Sequence, residues 1–251
     1  MTLLFSILFY LALFVLVTGL AYKIRQYWKT PAPLKIPTMP APVTRSGVAL
    51  RLFREVVFFE SLFRSSKWTW LFGVMFHFGL LLAFLRHLRY VISPDFILWP
   101  LIDNWLVQFV GQYSSFMMLA GLLGLLGRRI FVDRVRYISA PSDYLMLIMI
   151  IVITLSGIVM SFITPIDVVA LKAFMLDLIS SDSGNEFPVS LPLVIHLGLV
   201  ALLAIVFPFS KLLHAPGVFF SPTRNQVDNS REKRHVADWA LKLETTADAK
   251  E

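Results

Sequence analysis

The chain has 251 residues, 57% hydrophobic and 16% charged, with a mean hydropathy of +0.72 and a formal net charge of +7. So apolar a composition excludes an ordinary soluble domain and marks a polytopic membrane protein. With no cysteine, the chain cannot itself hold a thiolate-ligated iron–sulfur cluster, form a disulfide or use a thiol nucleophile, so any such chemistry belongs to a partner.

Five apolar runs reach the roughly 20 residues needed to cross about 30 Å of hydrocarbon: 2–22, 68–92, 105–127, 141–164 and 189–213. The expected fold is all-α, an integral membrane five-helix bundle. The first run has no basic residue ahead of it and no small-residue cleavage site behind it, so it reads as a retained helix rather than a signal peptide. Residues 23–67 form a loop in two parts. Pro31, Pro33, Pro37, Pro40 and Pro42 impose an extended, helix-free stretch. "VALRLFREVVFFESLFR" then alternates apolar and charged residues at helical spacing, as in a helix lying in the membrane interface or against a partner. Residues 68–213 would be a four-helix core and 214–251 a tail.

Lys and Arg set the orientation. The segment from Lys23 to Lys67 carries nine, Arg128 to Arg136 four, and the stretch after His214 six. The loop from Ser93 to Asn104 has none, and that from Pro165 to Pro188 has only Lys172, among Asp167, Asp177, Asp182 and Glu186. The positive-inside rule puts the N-terminus outside and the C-terminus in the cytoplasm. The net positive charge lies in the cytoplasmic loops, where anionic membrane lipid accounts for it and no nucleic-acid partner is needed.

Of five histidines, His235 falls in the charged tail and reads as solvated, whereas His77, His87, His196 and His214 fall on only two spans, the second and the fifth. Ionisable groups inside a membrane lean toward function. By the topology above, His77 and His214 lie toward the cytoplasm and His87 and His196 toward the outer face, two cross-helix pairs stacked along the membrane normal. The 18-residue spacing on the fifth span equals five helical turns and predicts one shared face, while the 10-residue spacing on the second leaves its rings about 80° apart. Pro208 offers a kink or an early helix end that absorbs part of this mismatch.

Two imidazoles facing each other across a bundle suit an axially ligated haem. A zinc site needs three or four close ligands, and no such cluster is present. Gly73, Gly79, Ala83, Gly198 and Ala201 leave room for a flat cofactor, or simply for close helix packing. Arg86 and Arg89 flank His87 as counter-charges for haem propionates, or as residues snorkelling to headgroups.

"FHFGLLLAFLRH", "GRRIFVDRVRY" and "HLGLVALLAIVFPFSKLLH" resemble the gamma subunit of membrane-bound respiratory nitrate reductase, a five-helix dihaem cytochrome b of prokaryotic inner (cytoplasmic) membranes. The ending "HAPGVFFSPTRNQVDNSR" and the proline-containing loop resemble, within that superfamily, the DsrM-type cytochromes b of the membrane complex associated with dissimilatory sulfite reductase. The resemblance implies an oxidoreductase subunit with two haem b groups, the outer one held by His87 and His196 and the inner by His77 and His214. Arg128 and Arg129 would then meet propionates of the inner haem. It implies menaquinone or ubiquinone as substrate near the outer haem. It also implies a cytoplasmic iron–sulfur partner similar to heterodisulfide reductase, and further membrane and periplasmic subunits. Nitrate reductase relatives carry lysines where the chain enters the third span. Here "LIDNWLVQFVGQYSSF" offers Asp103, Asn104, Gln108, Gln112 and Tyr113 instead, with Asp103 as proton acceptor on the quinone side or as a solvated loop carboxylate.

Electron transfer between the two faces would be electrogenic, worth about 2.3 kcal/mol per charge per 100 mV. The rival functions are a cytochrome b of another quinone-linked complex, nitrate reductase-like or hydrogenase/heterodisulfide reductase-like, and a proton-relay transporter. The transporter predicts acidic residues within the spans, yet Asp143 sits at a helix start and no Asp or Glu lies mid-span.

Overall fold

A chain surrounded by hydrocarbon must satisfy its backbone polar groups internally, so each long apolar run closes into a helix. The computed structural model describes residues 1–30, 40–181 and 184–228, and among the described residues there is no strand. The elements in order are α1 (Thr2–Lys29), α2 (Arg45–Phe58), α3 (Glu60–Ser65), α4 (Lys67–His87), α5 (Trp99–Ile102), α6 (Trp105–Phe131), α7 (Asp133–Tyr137), α8 (Pro141–Phe162), α9 (Val168–Ser180), α10 (Leu191–Val206), α11 (His214–Gly217) and α12 (Pro222–Asn225). Five of them, α1, α4, α6, α8 and α10 with its 3₁₀ extension to Phe209, are long and apolar enough to cross a membrane. The protein is thus a multi-pass membrane protein, with five such helices among the described residues. The proline-rich stretch 31–39 and the tail containing His235 lie outside the described residues.

The chain divides into two units. The first comprises Met1–Ala21 and Phe59–Leu213, and its centre is the antiparallel seam of α4 on α6. Glycines make this seam close. A Cβ on Gly79 would stand 2.9 Å from the backbone nitrogen of Met118, one on Gly121 2.7 Å from that of Phe76, and one on Gly111 2.8 Å from Cβ of Arg86. Such small-residue contacts let helix backbones touch where lipid supplies no hydrophobic drive for association. Ser114 adds hydroxyl donation to the carbonyls of Gly111 (2.8 Å) and Gly79 (3.3 Å). Met118 and Leu122 of α6 meet Leu147, Ile150 and Ile151 of α8 in one buried cluster.

A second cluster joins α1, α9 and α10 through Phe5, Leu171, Phe174, Phe187 and Leu193, with Phe5 stacked on Phe187 at 4.2 Å. The 13-residue α9 was not expected, since residues 165–188 read as a loop. It starts at Asp167, whose carboxylate accepts from the Ala170 amide at 2.9 Å, and ends at Ser181 in the left-handed region. This is ordinary capping chemistry.

The fifth span corrects an expectation. α10 stops at Val206, a 3₁₀ turn follows over Phe207–Phe209, Ser210 is extended, and a further 3₁₀ turn over Lys211–Leu213 precedes α11. His196 and His214 therefore do not share the face of one continuous helix. Pro208, which has no amide hydrogen, causes the break, and Gly19 of α1 packs on it: a Cβ there would lie 2.6 Å from the proline ring.

The second unit spans Tyr22–Phe58 and the chain from His214. Within it Arg224 of α12 pairs with Glu55 of α2 at 3.3 Å, and the Asp228 amide donates to the Pro42 carbonyl at 2.8 Å. The helix expected over 48–64 is present but divided, α2 from α3, at Phe59, whose φ of 49° lies in the left-handed region.

Candidate functional site: a paired-histidine centre between membrane helices

His87 stands at the end of α4, and its Nδ1 lies 2.6 Å from the carbonyl oxygen of Ala83. A carbonyl can only accept, so Nδ1 carries the proton and Nε2 keeps the lone pair. His196 is buried on α10. Its Nδ1 is 3.1 Å from the carbonyl of Ile153 and 2.9 Å from the Ser156 hydroxyl, both on α8. The same tautomer follows. The two rings are near-parallel, 13° between planes, with centres 6.2 Å apart.

That separation fits two imidazoles sharing one iron, since a bond of about 2.0 Å on each side plus the ring-centre-to-nitrogen distances comes to roughly 6 Å. The donor set fits too. Both Nδ1 atoms are spent on protein oxygens, the arrangement that orients a ligating histidine and raises its basicity. Among the described residues no group of three or more His, Cys, Asp or Glu gathers to hold a metal. Two histidines with free Nε2 donors suit a metal whose other positions come from a macrocycle, which is the haem case.

His77, ten residues earlier on the same helix, repeats the motif: its Nδ1 is 2.8 Å from the carbonyl of Gly73. The residue four before each of these histidines is small, Gly73 and Ala83, leaving the carbonyl open to the ring. Phe59 lays its ring against His77 at 5.0 Å, and Phe76 meets it edge-on at 4.8 Å. An aromatic residue rarely adopts the left-handed conformation, so Phe59 holds a strained backbone while packing on a candidate ligand. His214 is exposed at the start of α11.

The arginines divide. Arg86 crosses Gly111 of α6, and Arg89 donates to the Gln108 side-chain oxygen at 2.9 Å, Gln108 in turn donating to the Ile102 carbonyl at 2.7 Å. Nearby, Lys172 of α9 sits 3.7 Å above the ring of Trp99, a cation–π contact. Burial pushes its ammonium below the usual lysine value, Asp103 opposing the shift and Arg89 adding to it. Exposed Asp103 thus lies in the electrostatic range of a lysine that sequence reasoning had left in a distant loop. Arg128 and Arg129 close the last turn of α6, where cations complement the helix dipole. Arg129 donates to the Ser139 hydroxyl at 2.8 Å and faces Asp143 at 3.7 Å.

Sequence reasoning missed Ser156, Ile153 and the partners of Asp143. Asp143 is only 6% exposed in its side chain, binds Lys211 at 2.7 Å, and accepts from the Ala140 amide at 3.0 Å, joining the ends of α6 and α8 to the segment after α10. No spacing rule signals contacts between separate helices.

Five apolar helices, two of them bearing a near-parallel histidine pair whose donor set suits a haem, define the class of membrane protein to which the chain is compared. The family model for the nitrate reductase gamma subunit matches residues 60–229, and the chain belongs to that family. It is similar to two curated relatives, each called "Hdr-like menaquinol oxidoreductase cytochrome b-like subunit". The one from Archaeoglobus fulgidus is 34% identical, the match covering 92% of this chain and 81% of the relative. That from Archaeoglobus profundus is 32% identical over 92% and 80%.

Proposed function

We propose that the protein is a dihaem b cytochrome of a prokaryotic inner membrane, N-terminus outside and C-terminus cytoplasmic. In this reading it passes electrons from menaquinol at the outer side to a cytoplasmic, heterodisulfide reductase-like iron–sulfur subunit of one complex. The observation that carries the reading is the His87–His196 pair, parallel and 6.2 Å apart with both Nδ1 protons held by protein oxygens. The names of the two relatives, subunits of an Hdr-like menaquinol oxidoreductase, support menaquinol and a multi-subunit complex; the iron–sulfur partner rests on the sequence resemblance. A haem bound at such a pair supplies a one-electron centre inside the low-dielectric bundle.

The chain's own residues do the rest. His87 and His196 offer neutral Nε2 donors from α4 and α10, while the Ala83 and Ile153 carbonyls hold their Nδ1 protons. His77 and His214 hold the second haem, a pairing that rests on the sequence pattern. Arg86 and Arg89 neutralise propionates at the outer end, Arg128 and Arg129 at the inner end. Asp103, with Lys172 near it, receives a proton as menaquinol is oxidised. The ending "HAPGVFFSPTRNQVDNSR" favours dissimilatory sulfur metabolism as the setting. Other subunits, in the membrane and outside it, complete the complex.

The test compares reduction of the purified protein by a menaquinol analogue and by dithionite, followed in the visible bands of haem b. Both reductants should develop the same bands, and Asp103→Asn should slow the quinol reaction alone. Bands that appear with dithionite and never with quinol would overturn the quinone reading.

A further inference from the structure

Ser156 has a role that the histidine pairing does not require. Its Oγ lies 2.8 Å from the Ile153 carbonyl and 2.9 Å from Nδ1 of His196. The hydroxyl has one proton, and the carbonyl, which can only accept, takes it. Toward His196 the oxygen can therefore only accept. His196 Nδ1–H thus donates to two oxygens, whereas His87 Nδ1–H donates to the Ala83 carbonyl alone. Gly157, next in α8, admits the ring: a Cβ there would lie 3.5 Å from Cε1 of His196.

We propose that Ser156 is a positioning and tuning residue for the haem held by His87 and His196, fixing the plane of His196 and lowering the reduction potential through a second acceptor on its Nδ1–H. This rests on the ligand reading above. An acceptor on Nδ1–H makes the imidazole a stronger electron donor, which favours the oxidised metal and lowers the potential. Removing it reverses the sign. The angle between ligand planes governs the anisotropy of the low-spin ferric resonance, so the two effects have separate readouts.

The experiment uses the full chain in membranes, with Ser156→Ala, Ser156→Thr and His196→Ala. Ser156→Ala should keep the wild-type haem content, raise the potential of the haem that His196→Ala removes, leave the other unmoved, and alter its ferric resonance. Ser156→Thr, which keeps the hydroxyl, should restore both. Unchanged potential and resonance in Ser156→Ala would overturn the proposal. So would loss of haem in both serine variants, which would make the residue a matter of packing only. Full haem content in His196→Ala would instead break the underlying ligand reading, whatever Ser156 does.

Discussion

The α4–α6 seam and the His87–His196 centre both draw on α4, and they use small residues for opposite ends. In the seam, glycines bring backbones into contact: Gly79, Gly111 and Gly121 leave no space in which a methyl group could stand without displacing its neighbour. At the histidines the helices are spaced by rings and joined by a few polar bonds, from Ala83, Ile153 and Ser156. The seam supplies the rigid floor; the centre supplies the gap. A cofactor protein in lipid needs both, because packing is the main force between helices there and a ligand pair must keep its separation when the cofactor exchanges electrons.

Substitutions that invert each region sharpen this contrast. The largest effect is expected from Gly121→Leu, whose side chain would be driven into the Phe76 backbone. Overpacking of this kind costs about 3 kcal/mol or more, and the yield of folded protein in mild detergent should collapse. Asp143→Ala strikes the other side, removing a helix cap and two charge contacts that fasten α8 to Lys211 and Arg129. Thermal unfolding should show a loss of about 1–3 kcal/mol with the seam intact. Smallest is Gly198→Ala. Nothing stands within 4 Å of its Cβ position, so stability should move by less than about 0.5 kcal/mol. A glycine-seam variant as well tolerated as Gly198→Ala would break the comparison.

Much of this architecture is legible in the amino-acid sequence. The five spans follow from run length, and His77, His87, His196 and His214 stand out because ionisable groups are rare in apolar runs. The glycines are visible as small residues, but which of them touch a neighbour is not, since a helix's face toward its partner is set by packing between distant segments. Gly79 belongs to the seam and Gly198 to open space, though they look alike in the sequence. α9 escaped because thirteen residues between two spans are too few to cross a membrane. Pro208 announced a break in the fifth span, yet the 18-residue histidine spacing suggested a continuous helix, and the missing proline amide prevailed. Ser156 is one of many serines until α8 and α10 are brought together.

The central claim is that His87 and His196 serve one and the same haem. Haem per chain, measured by pyridine haemochrome in purified His87→Ala, His196→Ala and the double variant, tests it most directly. Each single variant should hold one haem fewer than the wild type, and the double should lose no more than either. Two haems lost in the double, or none lost in either single, would contradict the account.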